Sequence, residues 1–237
     1  MGEKKLDDTQ TAGDLAARYR DVCEGIARAA RYAGRDPKSV QLVIASKTQS
    51  AESIEVLLAL GHRVFGENRV QESQEKWPQL KAMYQDVQLH LIGPLQTNKA
   101  KEAVALFDVI ETIDRDRLAR ALAAEEKKQG KHLRYMIEVN IGAEAQKSCV
   151  LPDAAAALLA VTRDSCGLAV DGLMCIPPVD QQASPYFARM AKMAGEMGLS
   201  QLSMGMTADY AQAIQLGATH VRVGTAIFGA RAWDVRG

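Results

Sequence analysis

The side chain with the clearest chemical potential is that of Lys47, which directly follows the largely apolar residues 42–46. That run predicts a buried strand, so the lysine stands where the strand ends. Loss of hydration at such a place favours the neutral amine, a nucleophile that condenses with carbonyl groups to form Schiff bases. A surface lysine at a strand-to-helix corner is the alternative, and the spacing alone leaves both open.

Two glycine-containing segments late in the sequence are typical of phosphate-binding loops. One contains Ser203 and Gly205, and the other contains Arg222, Gly224 and Thr225. Glycine lets backbone N–H groups approach a phosphate closely, and the Ser and Thr hydroxyls add donors. The alternative is a pair of glycine turns that let helices follow strands closely. Together with a reactive lysine, a phosphate cup indicates a phosphorylated carbonyl compound, such as an aldolase substrate or pyridoxal 5′-phosphate.

These residues must be positioned by elements that alternate along the chain. A helix is predicted over residues 9–33, where apolar residues recur at steps of three and four. Strands are then predicted at residues 40–46, 63–66, 88–92, 108–113, 134–140, 170–176, 201–204 and 220–223. Helices are predicted between them at residues 51–60, 71–77, 98–106, 115–129, 152–163 and 186–197, with one more at 208–216.

Eight strand candidates alternating with helices predict an α/β fold, a single (β/α)8 TIM barrel with an extra N-terminal helix. A doubly wound open sheet is the rival architecture. We expect one domain over residues 1–237, with residues 1–8 disordered, because no linker-like segment divides the chain. In a barrel the active site lies at the carboxyl ends of the strands, where Lys47 and both glycine segments would meet.

Composition excludes several classes of protein. The chain has 29 Lys and Arg against 29 Asp and Glu, with 47% hydrophobic residues, which excludes a mostly disordered chain. Zero net charge gives no support to a nucleic-acid or membrane-surface partner. No apolar run reaches the roughly 18–20 residues of a membrane span, and the N-terminus has no secretory signal. The four cysteines have no metal-ligand spacing, so we expect reduced thiols, a cytoplasmic protein and no metal site.

Six segments, in order along the chain, resemble the pyridoxal phosphate homeostasis protein family. They are residues 44–48, 65–72, 90–99, 171–174, 202–206 with Asp209 and Tyr210, and 221–229. One departure lies at residues 147–149, where Cys149 stands in place of the glycine that is frequent in the family. Another lies at residues 48–50, which replace the more usual continuation after the lysine.

The resemblance implies a barrel like the N-terminal domain of alanine racemase, with pyridoxal 5′-phosphate as cofactor. It implies that Lys47 forms the Schiff base and that Arg222 faces the pyridine nitrogen. Asn68 would line the pocket. The remaining cofactor-binding residues, the phosphate cup among them, would be Ser203, Gly205, Gly224 and Thr225.

The function that the resemblance implies is intracellular vitamin B6 homeostasis, in which the cofactor is held without robust catalytic turnover. Recipients would be apoenzymes that use the same cofactor, and we expect a monomer. A racemase or decarboxylase of the same barrel type is the alternative. Two-base proton transfer needs an acid or base on each face of the substrate, and Lys47 supplies one face. A Schiff-base aldolase is a third hypothesis, but it has no comparable match in the sequence.

Overall fold

The computed structural model describes residues 3–229, with the side chains of residues 12–229. Within this part, eight parallel strands close into a barrel in the order β1 to β8, and β8 pairs with β1. The predicted barrel is therefore confirmed, and the open sheet is excluded. The strands are β1 Gln41–Ala45, β2 Val64–Glu67, β3 Gln88–Leu91, β4 Val109–Ile113, β5 Arg134–Val139, β6 Ala169–Cys175, β7 Gln201–Ser203 and β8 His220–Val223.

Helices alternate with these strands and form the outer layer. They are α1 Glu3–Tyr32, α2 Ala51–Ala59, α3 Val70–Met83, α4 Ala100–Leu106, α5 Asp116–Gln129, α6 Pro152–Ala160, α7 Ser184–Glu196, α8 Tyr210–Gln215 and α9 Thr225–Phe228. Short 3-10 helices at Pro37–Ser39 and Thr97–Lys99 and one π-helical turn at Val161–Ser165 complete the secondary structure of the described residues.

Helix α1 is the extra N-terminal helix, and it packs in the outer layer against α8 and α9. The Arg18 Nε donates to Ile227 O at 2.7 Å, which ties α1 to α9. Just beyond α1, the Arg35 Nη1 donates to Ile214 O and to Ala218 O, both at 2.8 Å. Residues 1 and 2 lie outside the described part, as do the side chains of residues 3–11, so the disorder expected over residues 1–8 stays a prediction.

The predicted end of α3 was wrong by six residues. The helix was predicted over residues 71–77, but it continues to Met83 with Pro78 inside it. Trp77 and Leu80 are both buried against the barrel, so packing outweighs the backbone hydrogen bond that the proline removes.

Two layers of core follow from the alternation of side chains along each strand. Val43, Val64 and Ile92, with Ala45 against them, form a small cluster inside the barrel. The large outer cluster lies between strands and helices, and Phe65, on β2 beside Val64, belongs to it. Within the described part of the chain, no helix is long and apolar enough to cross a bilayer.

Candidate functional site

Lys47 lies at the carboxyl end of β1 and faces the mouth of the barrel. Val43 and Ala45 point to the barrel interior, and Lys47 continues the same alternation. It is half-buried and lines a cavity of about 300 Å³, near the lower end of the range for small-molecule pockets. The lining residues are Ala45, Lys47, Thr48, Gln49, Met206, Thr207, Ala208, Arg222, Gly224, Thr225, Phe228 and Gly229.

The opposite wall of this pocket is built from the loops after β7 and β8. The Thr225 hydroxyl donates to Thr207 Oγ1 at 3.1 Å, so two hydroxyls from neighbouring loops stand side by side. Thr225 also begins α9, and the first amides of a helix have no intrahelical acceptor. Hydroxyl and amide donors at one place are the groups that bind a phosphate.

Two glycines allow these loops to come close to their neighbours. A Cβ on Gly224 would lie 3.0 Å from the carbonyl oxygen of Ala45, so the backbones of β8 and β1 approach tightly there. Gly205 has φ of +93°, and a Cβ on it would lie 2.5 Å from the Cβ of Ala213. The Gly205 carbonyl accepts a hydrogen bond from the Arg222 amide at 2.9 Å, which joins the loop after β7 to strand β8.

Arg222 lines the same pocket although only 4% of it is exposed. Its Nη2 donates to Cys175 O at 2.8 Å, and its Nη1 donates to Ser203 Oγ at 2.6 Å. The carboxylate of Glu111 lies 4.0 Å from Nη1. The guanidinium is therefore held rigidly beneath the pocket by groups inside the barrel.

A chain of buried polar groups continues from Arg222 into the barrel interior. The Ser203 hydroxyl donates to Glu111 Oε2 at 2.5 Å, and the His90 Nδ1 lies 2.6 Å from Glu111 Oε1. Burial alone would raise the pKa of Glu111, but the hydrogen bond and charge of His90 and the charge of Arg222 lower it to about 2. Nearby, burial lowers the pKa of His220 to about 4, so its ring is neutral at pH 7. The barrel thus holds an ionised carboxylate beneath Arg222.

The structure brings four of the predicted site residues, Lys47, Arg222, Gly224 and Thr225, into one pocket, and Gly205 shapes its β7 loop. Ser203 is fully buried, and its hydroxyl joins Glu111 and Arg222 in the interior instead of lining the pocket.

Asn68 lines a neighbouring cavity of about 560 Å³, which opens at the same end of the barrel. Its other lining residues include Arg69, Gln96, Asp114 and Arg115. This cavity lies beside the loops after β2, β3 and β4, whereas the first lies beside those after β1, β7 and β8. Lining of the Lys47 pocket by Asn68 therefore stays a prediction.

Sequence reasoning missed Thr207 as a lining residue of the pocket. Thr207 comes directly after the matched residues 202–206, so its place in the loop was the available signal. Glu67, within the matched residues 65–72, lies on the outer face of β2. There it is fully buried and accepts hydrogen bonds from Ser46 and Trp77 at 2.7 and 3.0 Å.

Metal-ligating side chains do not gather in this site. Among the described residues, no three or more His, Cys, Asp or Glu side chains come together in a way that could hold a metal ion. Burial raises the pKa of the Cys149 thiol to about 12, with a further contribution from Glu138. The Cys149 thiolate, which is the reactive form, is therefore disfavoured.

Comparison with known proteins identifies the family. Residues 26–232 match the model of the alanine racemase N-terminal domain. A pyridoxal phosphate homeostasis protein of Pseudomonas aeruginosa is 37% identical over 222 residues, covering 92% of this chain and 96% of the relative. One from Aquifex aeolicus is 37% identical over 225 residues, covering 91% and 98%.

The chain belongs to the pyridoxal phosphate homeostasis protein family.

Solved structures of two related kinds resemble this chain, one in sequence and fold and the other in fold. PipY of Synechococcus elongatus, in its structure with bound PLP, matches with a TM-score of 0.75 and 34% identity over 86% of this chain and all of that one. An alanine racemase of Clostridium difficile matches with a TM-score of 0.69 but 11% identity, covering 93% of this chain and 57% of that one. The racemase likeness shows the barrel fold alone. The pyridoxal phosphate homeostasis family and the racemase barrel predicted from the sequence are both confirmed.

Proposed function

We propose that this protein binds pyridoxal 5′-phosphate in the pocket at the mouth of its barrel and serves vitamin B6 homeostasis. The observation that carries the proposal is one pocket of about 300 Å³ that contains the Lys47 amine, two adjacent Thr hydroxyls and the first turn of α9. An amine for an aldehyde and a cluster of donors for a phosphate are the two groups that this cofactor requires. The PLP-bound structure of PipY supports the same assignment.

Lys47 supplies the covalent link in this proposal. Its Nζ would hold the cofactor covalently, because a neutral amine condenses with an aldehyde with loss of water. Thr207 and Thr225 orient the phosphate, together with the backbone amides at Gly224 and Thr225. The cofactor supplies an electrophilic carbonyl and an aromatic ring that can accept electrons.

Arg222 is assigned to the pyridine nitrogen. It lies beneath the pocket, fixed by Ser203 and the Cys175 carbonyl, and carries a permanent positive charge. A cation at this place disfavours protonation of the ring nitrogen, which weakens the ring as an electron sink. This property supports a holding role over amino-acid decarboxylation or transamination.

The side chains of the pocket also support holding over turnover. Those described are one amine, two adjacent Thr hydroxyls, the hydroxyl of Thr48, the amide of Gln49, the Arg222 guanidinium and apolar groups. Racemisation needs an acid or base on each face of the substrate plane, and Lys47 provides one. We therefore propose that the protein stores the cofactor, passes it to apoenzymes that use it, and has no robust catalytic activity.

The proposal includes a monomer in the cytoplasm. The four cysteines, which the described part of the structure leaves as free thiols, fit a reducing compartment. Light scattering of the purified protein tests the monomer, and fractionation of cells tests the location.

Cofactor titration combined with turnover assays tests the function. We expect one equivalent of pyridoxal 5′-phosphate to bind, and we expect the loaded protein to activate an added apoenzyme. Incubation with a panel of L-amino acids should yield no D-amino acid and no amine above background. Absence of binding, or sustained turnover of one amino acid, contradicts the proposal, and turnover favours the racemase or decarboxylase alternative. The Lys38→Ala variant is the control, since Lys38 is exposed just before β1, at the other end of the barrel.

A further inference from the structure

The turn that carries Lys47 has an unusual backbone. The Gln49 amide donates to Ser46 O at 3.1 Å, so Lys47 and Thr48 are the two central residues of a four-residue turn. Thr48 has φ of +63°, in the left-handed region. Turns that need a positive φ at their third residue favour glycine there, and a β-branched threonine is among the least suited residues. The turn therefore needs support from outside itself.

That support comes from helix α3. The Glu72 carboxylate accepts a hydrogen bond from the backbone amide of Thr48, the residue with the left-handed conformation. The Thr48 hydroxyl donates to Lys47 O at 2.6 Å, which braces the same peptide from the other side. Glu72 stands in the first turn of α3, so a rigid element holds its backbone in place.

Lys76 holds both ends of the turn. Its Nζ donates to Ser46 O at 3.0 Å and to Gln49 O at 3.2 Å, the residues that flank Lys47 and Thr48. It also pairs with Glu72 at 3.5 Å and with the fully buried Glu67 at 2.9 Å. Only 10% of its side chain is exposed. We call Lys76, Glu67 and Glu72 the Lys76 cluster.

We propose that the Lys76 cluster is a positioning device that fixes the left-handed turn at Thr48 and so sets the direction in which the Lys47 amine enters the pocket. Glu72 acts on the turn through the Thr48 amide, and Lys76 acts through the two carbonyls that flank it. None of the three is a catalytic residue: Glu72 and Lys76 contact the backbone of the turn, and Glu67 acts through Lys76 and the Ser46 hydroxyl. The inference rests on the proposed function, in which Lys47 links to the cofactor.

Loss of the support should slow the reaction of Lys47 by allowing the turn to leave its left-handed conformation. A threonine pays a conformational penalty at positive φ that glycine does not, so the dependence on Glu72 should vanish when residue 48 is glycine. This relation between two sites distinguishes positioning from a general effect on folding.

The experiment is a double-mutant cycle with Glu72→Ala and Thr48→Gly. The first readout is the rate at which added pyridoxal 5′-phosphate becomes reducible by borohydride on Lys47. The second uses the protein without cofactor, and measures acetylation of Lys47 by trace acetic anhydride with mass spectrometry. Glu75→Ala is the matched control, because Glu75 is an exposed carboxylate on the same helix.

We expect Glu72→Ala to slow capture roughly tenfold and to change Lys47 acetylation, whereas Glu75→Ala leaves both unchanged. In the Thr48→Gly background, removal of Glu72 should change either rate less than twofold. Equal slowing in both backgrounds, or no slowing in either, overturns the inference. If the wild-type protein captures no cofactor, the proposed function fails, and the acetylation cycle alone decides whether Glu72 sets the presentation of Lys47.

Discussion

Replacing Ser203 with alanine distinguishes the contribution of the buried polar chain to stability from the contribution of Thr207 and Thr225 to cofactor binding. The Ser203 hydroxyl is fully buried between a carboxylate and a guanidinium, 2.5 Å from Glu111 Oε2 and 2.6 Å from Arg222 Nη1. Each of these hydrogen bonds involves a charged group and contributes about 1.5–3 kcal/mol. Because relaxation and partial re-pairing of Glu111 with Arg222 recover part of the loss, we expect the free energy of unfolding to fall by about 3 kcal/mol.

Thr225→Ala provides the contrasting change. Thr225 is exposed at the start of α9, so its removal should change the free energy of unfolding by less than about 0.5 kcal/mol. It should weaken pyridoxal 5′-phosphate binding about tenfold, the expected effect of one hydrogen bond to a charged oxygen. Ser203→Ala, in contrast, should leave the affinity of the folded protein within about threefold of the wild type.

Urea unfolding of the cofactor-free proteins measures the first quantity, and cofactor titration of the same samples measures the second. Unfolding without cofactor is essential, because a ligand that binds the native state adds its own stabilisation. The reasoning is refuted if Ser203→Ala unfolds like the wild type and binds the cofactor ten times more weakly. That result would return Ser203 to the phosphate cup that the sequence suggests.

Two further predictions concern the fold. Burial lowers the pKa of His62 from 6.5 to about 4, so the neutral ring stabilises the protein fully above about pH 6.5, and this stability is lost as pH falls towards 4. When the pH is lowered from 7.5 to 5.0, the free energy of unfolding of the wild type should therefore fall by about 2 kcal/mol more than that of His62→Gln. Equal losses in denaturant unfolding at the two pH values would contradict this. A Cβ on Gly93 would lie 2.4 Å from the carbonyl oxygen of Asn68, so Gly93→Ala should lower unfolding free energy by about 2 kcal/mol or more. Gly195→Ala, in α7 with nothing within 4 Å of the new Cβ, should be neutral or stabilising in the same denaturation assay, and equal losses would contradict the steric argument.

The barrel was predictable because each strand is short, apolar and followed by a helical segment. The place of Lys47 was predictable for the same reason, since an apolar strand that ends in a lysine leaves the side chain at the mouth. Glycine at residue 224 was predicted to let the backbone approach a phosphate, which stays a prediction, whereas its close approach to the Ala45 carbonyl was not predicted.

Contacts between distant residues could not be predicted from single stretches of sequence. The direction of Ser203 depends on the register of the three-residue strand β7 against its neighbours, and so short a strand shows no alternation. The pairing of Lys76 with the turn 46–49 joins α3 to the loop after β1 over about thirty residues of chain. The positive φ of Thr48 has no signal in composition, because its support comes from Glu72 in another element.

The most direct test of the account is to locate the covalent link. The purified protein would be loaded with pyridoxal 5′-phosphate, reduced with borohydride, digested and examined by mass spectrometry, beside Lys47→Ala and the control Lys38→Ala. We predict a visible absorption band that borohydride bleaches, with the reduced adduct on the peptide that contains Lys47 in the wild type and in Lys38→Ala. Lys47→Ala should show neither the band nor that adduct. An adduct on another lysine, or a protein that takes up no cofactor, would contradict the central claim.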